Sequence, residues 1–302
     1  MNNRFVLGID VGGTNFRIGL VEQNGKLYNF TIESSSILTQ SDNPFQSFKN
    51  YIKNYLQTYL NGELMAISVG FPATVSKDKN KIYSAPNLAG FNNINISEHL
   101  EEEFQVPVFL DRDVNYLLMY DMIVHNIHQK GVTVGFYIGT GFGNAIYING
   151  EFLSGKNGVA GELGHIPVLH SKELCGCGNV GCIEIYASGK ALYRIWELNF
   201  KDTEIDEIFM KYKDSPVLKD FIDAISIPIA TEINILDPDN IIIGGGVVNM
   251  KGFPIDYFEE CIFQHVRKPY PALNLKYIYS LNNKEAGVIG AAYYAFARIQ
   301  KI

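Results

Sequence analysis

Twice along this chain a short apolar strand runs into a glycine-rich turn, returns as a second strand, and reverses again at an Asn-Gly pair. The first copy is Phe5–Asp10, the turn Val11-Gly12-Gly13-Thr14, Phe16–Val21, Asn24-Gly25 and Lys26–Ile32. The second is Val132–Ile138, the turn Gly139-Thr140-Gly141-Phe142-Gly143, Ala145–Ile148, Asn149-Gly150 and a further strand. Asn-Gly between two apolar-alternating runs is the strongest short-range signal of a hairpin. Alternating strands and helices follow each copy, so the pattern predicts two related α/β domains. A length of 302 residues, about twice a typical domain, agrees, and 47% hydrophobic residues can bury a large core.

The remaining elements can be placed coarsely. Apolar and aromatic residues at Phe45, Phe48, Tyr51, Ile52, Tyr55, Leu56, Tyr59 and Leu60 line one face of a helix starting at about Pro44, more in keeping with a core than with a cofactor box. Leu64–Val69 reads as a strand, Ser97–Phe104 as a short helix, Val106–Asp111 as a strand, and a helix starts near Asp113. Later come a long apolar helix Pro216–Leu236, a buried strand Ile241–Ile243 opening onto Gly244-Gly245-Gly246, and a last helix through Gly287–Ile299. No low-complexity linker separates the halves; the boundary is expected between residues 115 and 130, giving domains of 1–118 and 119–287.

A formal net charge of −7, a pI near 5.4 and the absence of a Lys/Arg cluster argue against nucleic acid as a partner. Met1–Asp10 offers one Arg and a very short apolar run ending in an acid, and nothing later approaches a membrane span, so no membrane partner and a cytoplasmic location are expected.

Four ligand-type residues crowd together: His165, then Cys175, Cys177 and Cys182 in the string Cys-Gly-Cys-Gly-Asn-Val-Gly-Cys-Ile-Glu. Three thiolates and an imidazole close a tetrahedral shell around Zn²⁺ with no open position, as in structural zinc. Buried thiols or a disulfide are the plain alternative. One intervening residue makes a Cys175–Cys177 bridge awkward, however, and Gly176, Gly178 and Gly181 supply the tight backbone that wrapping an ion requires. The fourth cysteine, Cys261, stands alone in a stretch that looks helical, which fits a reducing compartment. Glu162 and Glu184 flank the cluster without being needed by it. Ionised carboxylates accept several hydrogen bonds and suit vicinal hydroxyls, which favours a sugar.

Glycine turns at strand ends let backbone amides approach phosphate oxygens. Each alone reads as a tight turn: Gly8–Thr14 lacks the Lys of a P-loop, and Gly139–Gly143 lacks the dinucleotide spacing. Three of them together, with Asp10 placed to hold Mg²⁺ through water and a small-residue platform at Gly244, Gly245 and Gly246 for an adenine, point to ATP. Asp111-Arg112-Asp113 closes a strand where a helix begins. Asp113 there is either an N-cap or a base, and phosphoryl transfer to a hydroxyl needs little more from the protein than positioning, charge neutralisation and one base.

The strings Gly8-Ile-Asp-Val-Gly-Gly-Thr14, Asp111-Arg-Asp-Val-Asn115, Gly139-Thr-Gly-Phe-Gly143, Gly161-Glu-Leu-Gly-His165 and Cys175–Glu184 resemble the ROK proteins (repressors, open reading frames and sugar kinases) over nearly the whole chain. The resemblance implies an actin-like, ribonuclease H-like ATPase fold of two α/β domains with ATP and sugar in the interdomain cleft. It also implies a last helix, 288–302, packed back on the first domain, and a homodimer. By position, Asp113 would be the base that deprotonates a sugar hydroxyl, usually O6. Asn87, Glu162, His165 and Glu184 would contact sugar hydroxyls, with His165 binding zinc through its other ring nitrogen. Gly12, Gly13, Thr14, Asn15, Gly139, Thr140, Gly141 and Gly143 would hold phosphates, and Gly244, Gly245 and Gly246 would lie by the adenosine.

Two positions depart from the common glucokinase-like pattern: Arg112 replaces an Asn that contacts the sugar, and Ala73 replaces the Gly that follows Pro72. Gly70–Lys79, Ser84–Leu88 and Arg112–Asn115 look like the branch of the family that phosphorylates D-allose. Arg112 would either select hydroxyl stereochemistry or pair with Asp111 or Glu162 away from the sugar. The rivals are a kinase for glucose, fructose or N-acetylmannosamine, a sugar-sensing regulator of the same family, and a zinc ribbon. Such regulators carry an N-terminal helix-turn-helix, whereas the first strand here begins at about Phe5, and the acidic balance disfavours the ribbon.

Overall fold

The computed structural model describes residues 3–281 and 283–299. Its strands are β1 (Arg4–Val11), β2 (Asn15–Glu22), β3 (Leu27–Ser34), β4 (Glu63–Phe71), β5 (Thr74–Val75), β6 (Ile82–Ser84), β7 (Val108–Arg112), β8 (Val132–Ile138), β9 (Phe142–Ile148), β10 (Glu151–Phe152), β11 (Asn240–Gly244) and β12 (Tyr277–Tyr279). The helices are α1 (Ser36–Thr39), α2 (Pro44–Tyr59), α3 (Ile96–Phe104), α4 (Asp113–Val124), α5 (Gly189–Asn199), α6 (Ile208–Tyr212), α7 (Pro216–Leu236), α8 (Ile255–His265) and α9 (Ala286–Ile299).

Two five-stranded sheets repeat one order, β3-β2-β1-β4-β7 and β10-β9-β8-β11-β12. In each, the glycine turn and the Asn-Gly turn fold the first three strands into an antiparallel meander. The next two strands lie parallel to the first, β4 beside β1 and β7 beside β4, then β11 beside β8 and β12 beside β11. The echo in the sequence is therefore a duplicated sheet.

One compact unit comprises the chain through Ile127, the segment Ser154–Ala160 and the chain from Asn283; the other comprises His128–Leu153 and Gly161–Asn282. The division falls after α4 rather than inside it at 118/119, because the helix is buried nearly all round, with Tyr116 and Leu118 at 1% and 0% exposure. Of the expected last helix 288–302, residues 300–302 lie outside the described residues, and α9 opens at Ala286.

In the first unit, Leu7, Ile9, Val11, Phe16, Ile18, Leu20, Ile67 and Val69 point to one face of the sheet and pack on Phe48 and Ile52 of α2 and Ile96 and Leu100 of α3. Helix α2 starts as its sequence dictates, with Pro44 in its first turn and the Asn43 side chain accepting the Gln46 N–H. The opposite face, Val6, Val21 and Ala66, receives Val288, Ala292 and Ala295 of α9. That approach is close: a Cβ on Gly8 would collide with the Val288 carbonyl, and one on Gly290 with that of Tyr116 on α4. Small residues in α9 thus bring it against β1 and α4 together. In the second unit, Val134, Phe136, Ile138, Ile241 and Ile243 pack on Phe221, Ile225, Ile229 and Ile233 of α7 and on Phe258 and Ile262 of α8. Each such fully buried side chain contributes roughly 1.5–3 kcal/mol relative to exposure. Among the described residues no helix is long and apolar enough to cross a membrane.

Candidate active site and metal centre

Parallel strands expose their carboxyl ends together, and ligands of open α/β sheets bind there. In the first unit Asp10 pairs with Gly70 and Gly70 with Asp111, so the acids one residue before the ends of β1 and β7 stand level on one edge. Beyond Asp10 the turn closes with Gly12 N–H donating to the Asn15 carbonyl at 2.9 Å, and buried Ser35 braces it by donating to the Gly12 carbonyl at 2.6 Å. Asn87 stands beside this turn, its Cβ within 3.3 Å of where a Gly13 Cβ would lie. Burial pushes the Asp10 carboxyl above the ordinary carboxylate range, opposed by Arg17, whose guanidinium donates to Oδ2 at 3.1 Å. Arg17 went unnoticed in the sequence, although the turn fixes the hairpin register that sets it opposite Asp10.

Asp113 opens α4, and its Oδ1 accepts the Val114 N–H at 2.8 Å. A helix N-terminus stabilises negative charge at such a position. Arg112, 9% exposed, donates to the Ala160 carbonyl at 2.7 Å. Asp111 is fully buried and takes Lys79, a residue that closes the Gly70–Lys79 string but was given no role from sequence, at 2.7 Å. Arg112 therefore engages a backbone carbonyl, while the ion pair of Asp111 is made by Lys79.

In the second unit the turns Gly139–Gly143 and Gly244–Gly246 come together at the ends of β8 and β11. Gly245, at φ +97°, lies against the Ile138 backbone where a side chain could not fit, and Val247 N–H donates to the Ile138 carbonyl at 3.0 Å. The 3-10 turn Leu163–His165 sets Gly164 against Phe142 and Glu184, so Glu162, His165 and Glu184 gather beside the Gly139–Gly143 turn.

The ligand atoms of His165, Cys175, Cys177 and Cys182 all lie within 4.8 Å of one another. Cys177 and Cys182 sulfurs are 3.6 Å apart, and Cys175 Sγ is 3.7 Å from His165 Nδ1. Zinc bonds of about 2.3 Å to sulfur and 2.0–2.1 Å to nitrogen in a tetrahedron give edges of roughly 3.5–3.8 Å, so this donor set fits Zn²⁺. Cys175 N–H donates to Asn179 O at 2.7 Å and Gly181 N–H to Glu173 O at 2.8 Å, folding the loop into a knuckle. Burial, reinforced by the neighbouring sulfurs, pushes the Cys182 thiol up to about 12, a cost that a divalent cation would remove. His165 Nε2 faces away from the sulfurs, 3.6 Å from Glu162 Oε2.

A model of the ROK family matches residues 6–298. The chain is similar to a glucokinase of Halalkalibacterium halodurans, 28% identical with 97% of this chain and 95% of that one covered. Among solved structures it is similar to a ROK family glucokinase from Streptomyces griseus in complex with glucose and AMPPNP, at TM-score 0.77 and 23% identity over 95% of this chain and 98% of that one. It is also similar to a ROK family transcriptional regulator, a homolog of the E. coli MLC protein, at TM-score 0.82 and 25% identity over 98% of this chain and 79% of that one. The fold is the actin-like ATPase fold of ROK kinases, its two halves being the duplicated sheets. Because that match leaves out only a few residues at either end, the chain belongs to the ROK family.

Proposed function

We propose that this protein is an ATP-dependent hexose kinase that transfers the γ-phosphoryl group to the 6-hydroxyl of a hexose, with D-allose as its best substrate. The observation that carries the reading is the placement of Asp113, a carboxylate at the head of α4 on the edge that also presents Asp10. The likeness to a glucokinase over nearly both full lengths supports it.

Asp113 accepts the proton of the sugar hydroxyl as its oxygen bonds to the γ-phosphorus, the bond from γ-phosphorus to the β,γ-bridging oxygen breaks, and ADP leaves. Asn87, Glu162, His165 and Glu184 hold the other hydroxyls. Amides of Gly12–Asn15 and Gly139–Gly143 hold phosphates, and Gly244–Gly246 lie by the adenosine. Mg²⁺ with the nucleotide supplies charge neutralisation, and Asp10 would orient it through water. Zinc on His165, Cys175, Cys177 and Cys182 would order the loop bearing Glu162 and Glu184.

D-allose is favoured over glucose by Arg112, whose five donors and lack of an acceptor change the stereochemistry the pocket reads, and by Ala73, partly buried against the core where a glycine is usual. A coupled assay of ADP release with ATP and a panel of aldohexoses tests this. D-allose is expected to show the highest kcat/KM; hexose binding with no turnover on any member would instead indicate the regulator reading.

A further inference from the structure

We infer that Glu184 is a positioning residue for the nucleotide: one of its carboxylate oxygens holds the phosphate turn Gly139–Gly143 in place. This rests on the kinase reading and adds to it a role for Glu184 separate from the sugar.

The turn links strands β8 and β9, and its tip projects beyond their ladder. Gly139 N–H donates to the Gly141 carbonyl at 3.0 Å across it. The Tyr137–Gly143 and Ile138–Phe142 pairs of the β8–β9 ladder close its base, and residues 184–190 supply further ties. Glu184 Oε2 accepts the Phe142 N–H at 2.8 Å, while the Gly139 and Thr140 carbonyls accept Gly189 N–H at 2.7 Å and Lys190 N–H at 3.2 Å from the first turn of α5. Across the hairpin, the Ile138 carbonyl already accepts from Val247.

The carboxylate is also held sterically. A Cβ on Gly141 would come within 2.5 Å of Glu184 Oε2, and one on Gly164 within 3.4 Å of Glu184 Cβ. The acceptor therefore sits in a slot that closes if Gly141 gains a side chain. Loss of a charge-assisted bond of this kind costs about 1.5–3 kcal/mol, which is roughly ten- to a hundredfold in affinity.

The test is calorimetric titration of ADP with Mg²⁺, without sugar, into wild type, Glu184→Ala, Glu184→Gln, Gly141→Ala and the double variant Glu184→Ala/Gly141→Ala. Glu184→Ala is expected to bind about tenfold more weakly. Glu184→Gln, which keeps an acceptor oxygen, should stay within about threefold of wild type. Gly141→Ala should also weaken binding, and the double variant should be no weaker than Glu184→Ala, because the methyl then displaces nothing. Wild-type affinity in Glu184→Ala, equal weakening in the Ala and Gln variants, or additive losses in the double variant would each overturn the inference. A wild type that binds no ADP would overturn the kinase reading and this one with it.

Discussion

The Lys79 ammonium lies 2.7 Å from Oδ1 of Asp111, tying the tip of the β5–β6 hairpin to the strand end two residues before Asp113. The same oxygen accepts the Asn115 side-chain amide at 2.7 Å and the Arg112 N–H at 2.8 Å. Asp111 has no exposed surface, and its Oδ2 has no donor among the described residues.

Removing Lys79 leaves a buried carboxylate without its cation, which is costlier than never burying the pair. Lys79→Met is expected to destabilise the protein by about 2–4 kcal/mol, the range moderated because Lys79 is 21% exposed. Adding Asp111→Asn removes the orphaned charge and should restore most of the loss. Urea unfolding of the two variants and wild type checks this; equal stability of Lys79→Met and wild type would show that the pair does not hold the hairpin.

Asp113→Asn preserves volume and removes the carboxylate proposed as the base. Turnover should fall by about 10²–10⁴, the usual worth of a positioned general base, while hexose affinity stays within about threefold. Steady-state kinetics and sugar titration separate the two effects, and near-normal turnover would refute the role assigned to Asp113.

Local patterns carried most of the fold. The two Asn-Gly turns and the first two glycine turns placed six strands, whereas the pairing of Asp10 with Arg17 needed the hairpin register that the structure supplies. What was not legible depends on distant partners. Strands β5 and β6 have two and three residues, too few to show a period, so the hairpin that delivers Lys79 left no trace. Helix α4 is apolar on every side because α9 and the sheet both cover it, which erases the amphipathic signal. At the site, His165 and the cysteines were evident because sequence spacing gathers them. The Phe142, Gly189 and Lys190 amides that tie the Gly139–Gly143 turn to Glu184 and α5 were not, since backbone donors have no residue signature.

The Cys175–Cys182 loop gives a third expectation. Cys177 is the exposed member of the set, so Cys177→Ser changes one ligand with little disturbance of the core. Elemental analysis should find about one zinc per wild-type chain and far less in the variant, and hexose affinity should fall by about tenfold or more as Glu162 and Glu184 lose their support. Affinity unchanged in a zinc-free variant would sever metal from sugar binding.

Asn144, wholly buried on β9, donates from Nδ2 to the Gly135 carbonyl at 3.2 Å and to Glu232 Oε1 of α7 at 2.9 Å, while its own Oδ1 has no donor among the described residues. Burial pushes the Glu232 carboxyl from 4.5 up to about 7, against the opposing Asn144 bond, so at mildly acid pH the folded protein keeps a proton there that the unfolded chain has released. A proton held more tightly by the folded state means stability falls as pH rises, beginning near the unfolded value of 4.5 and levelling off above about 7. A rise of that size corresponds to roughly 3 kcal/mol at about 1.4 kcal/mol per unit. Glu232→Gln replaces the acid with an amide that can donate to Asn144 Oδ1 and accept from Nδ2 at every pH. The variant should match wild type at pH 5 and exceed it by about 2–3 kcal/mol at pH 8 in urea unfolding. A difference between the two proteins that does not change with pH would show that Glu232 is already ionised in the folded state at pH 5.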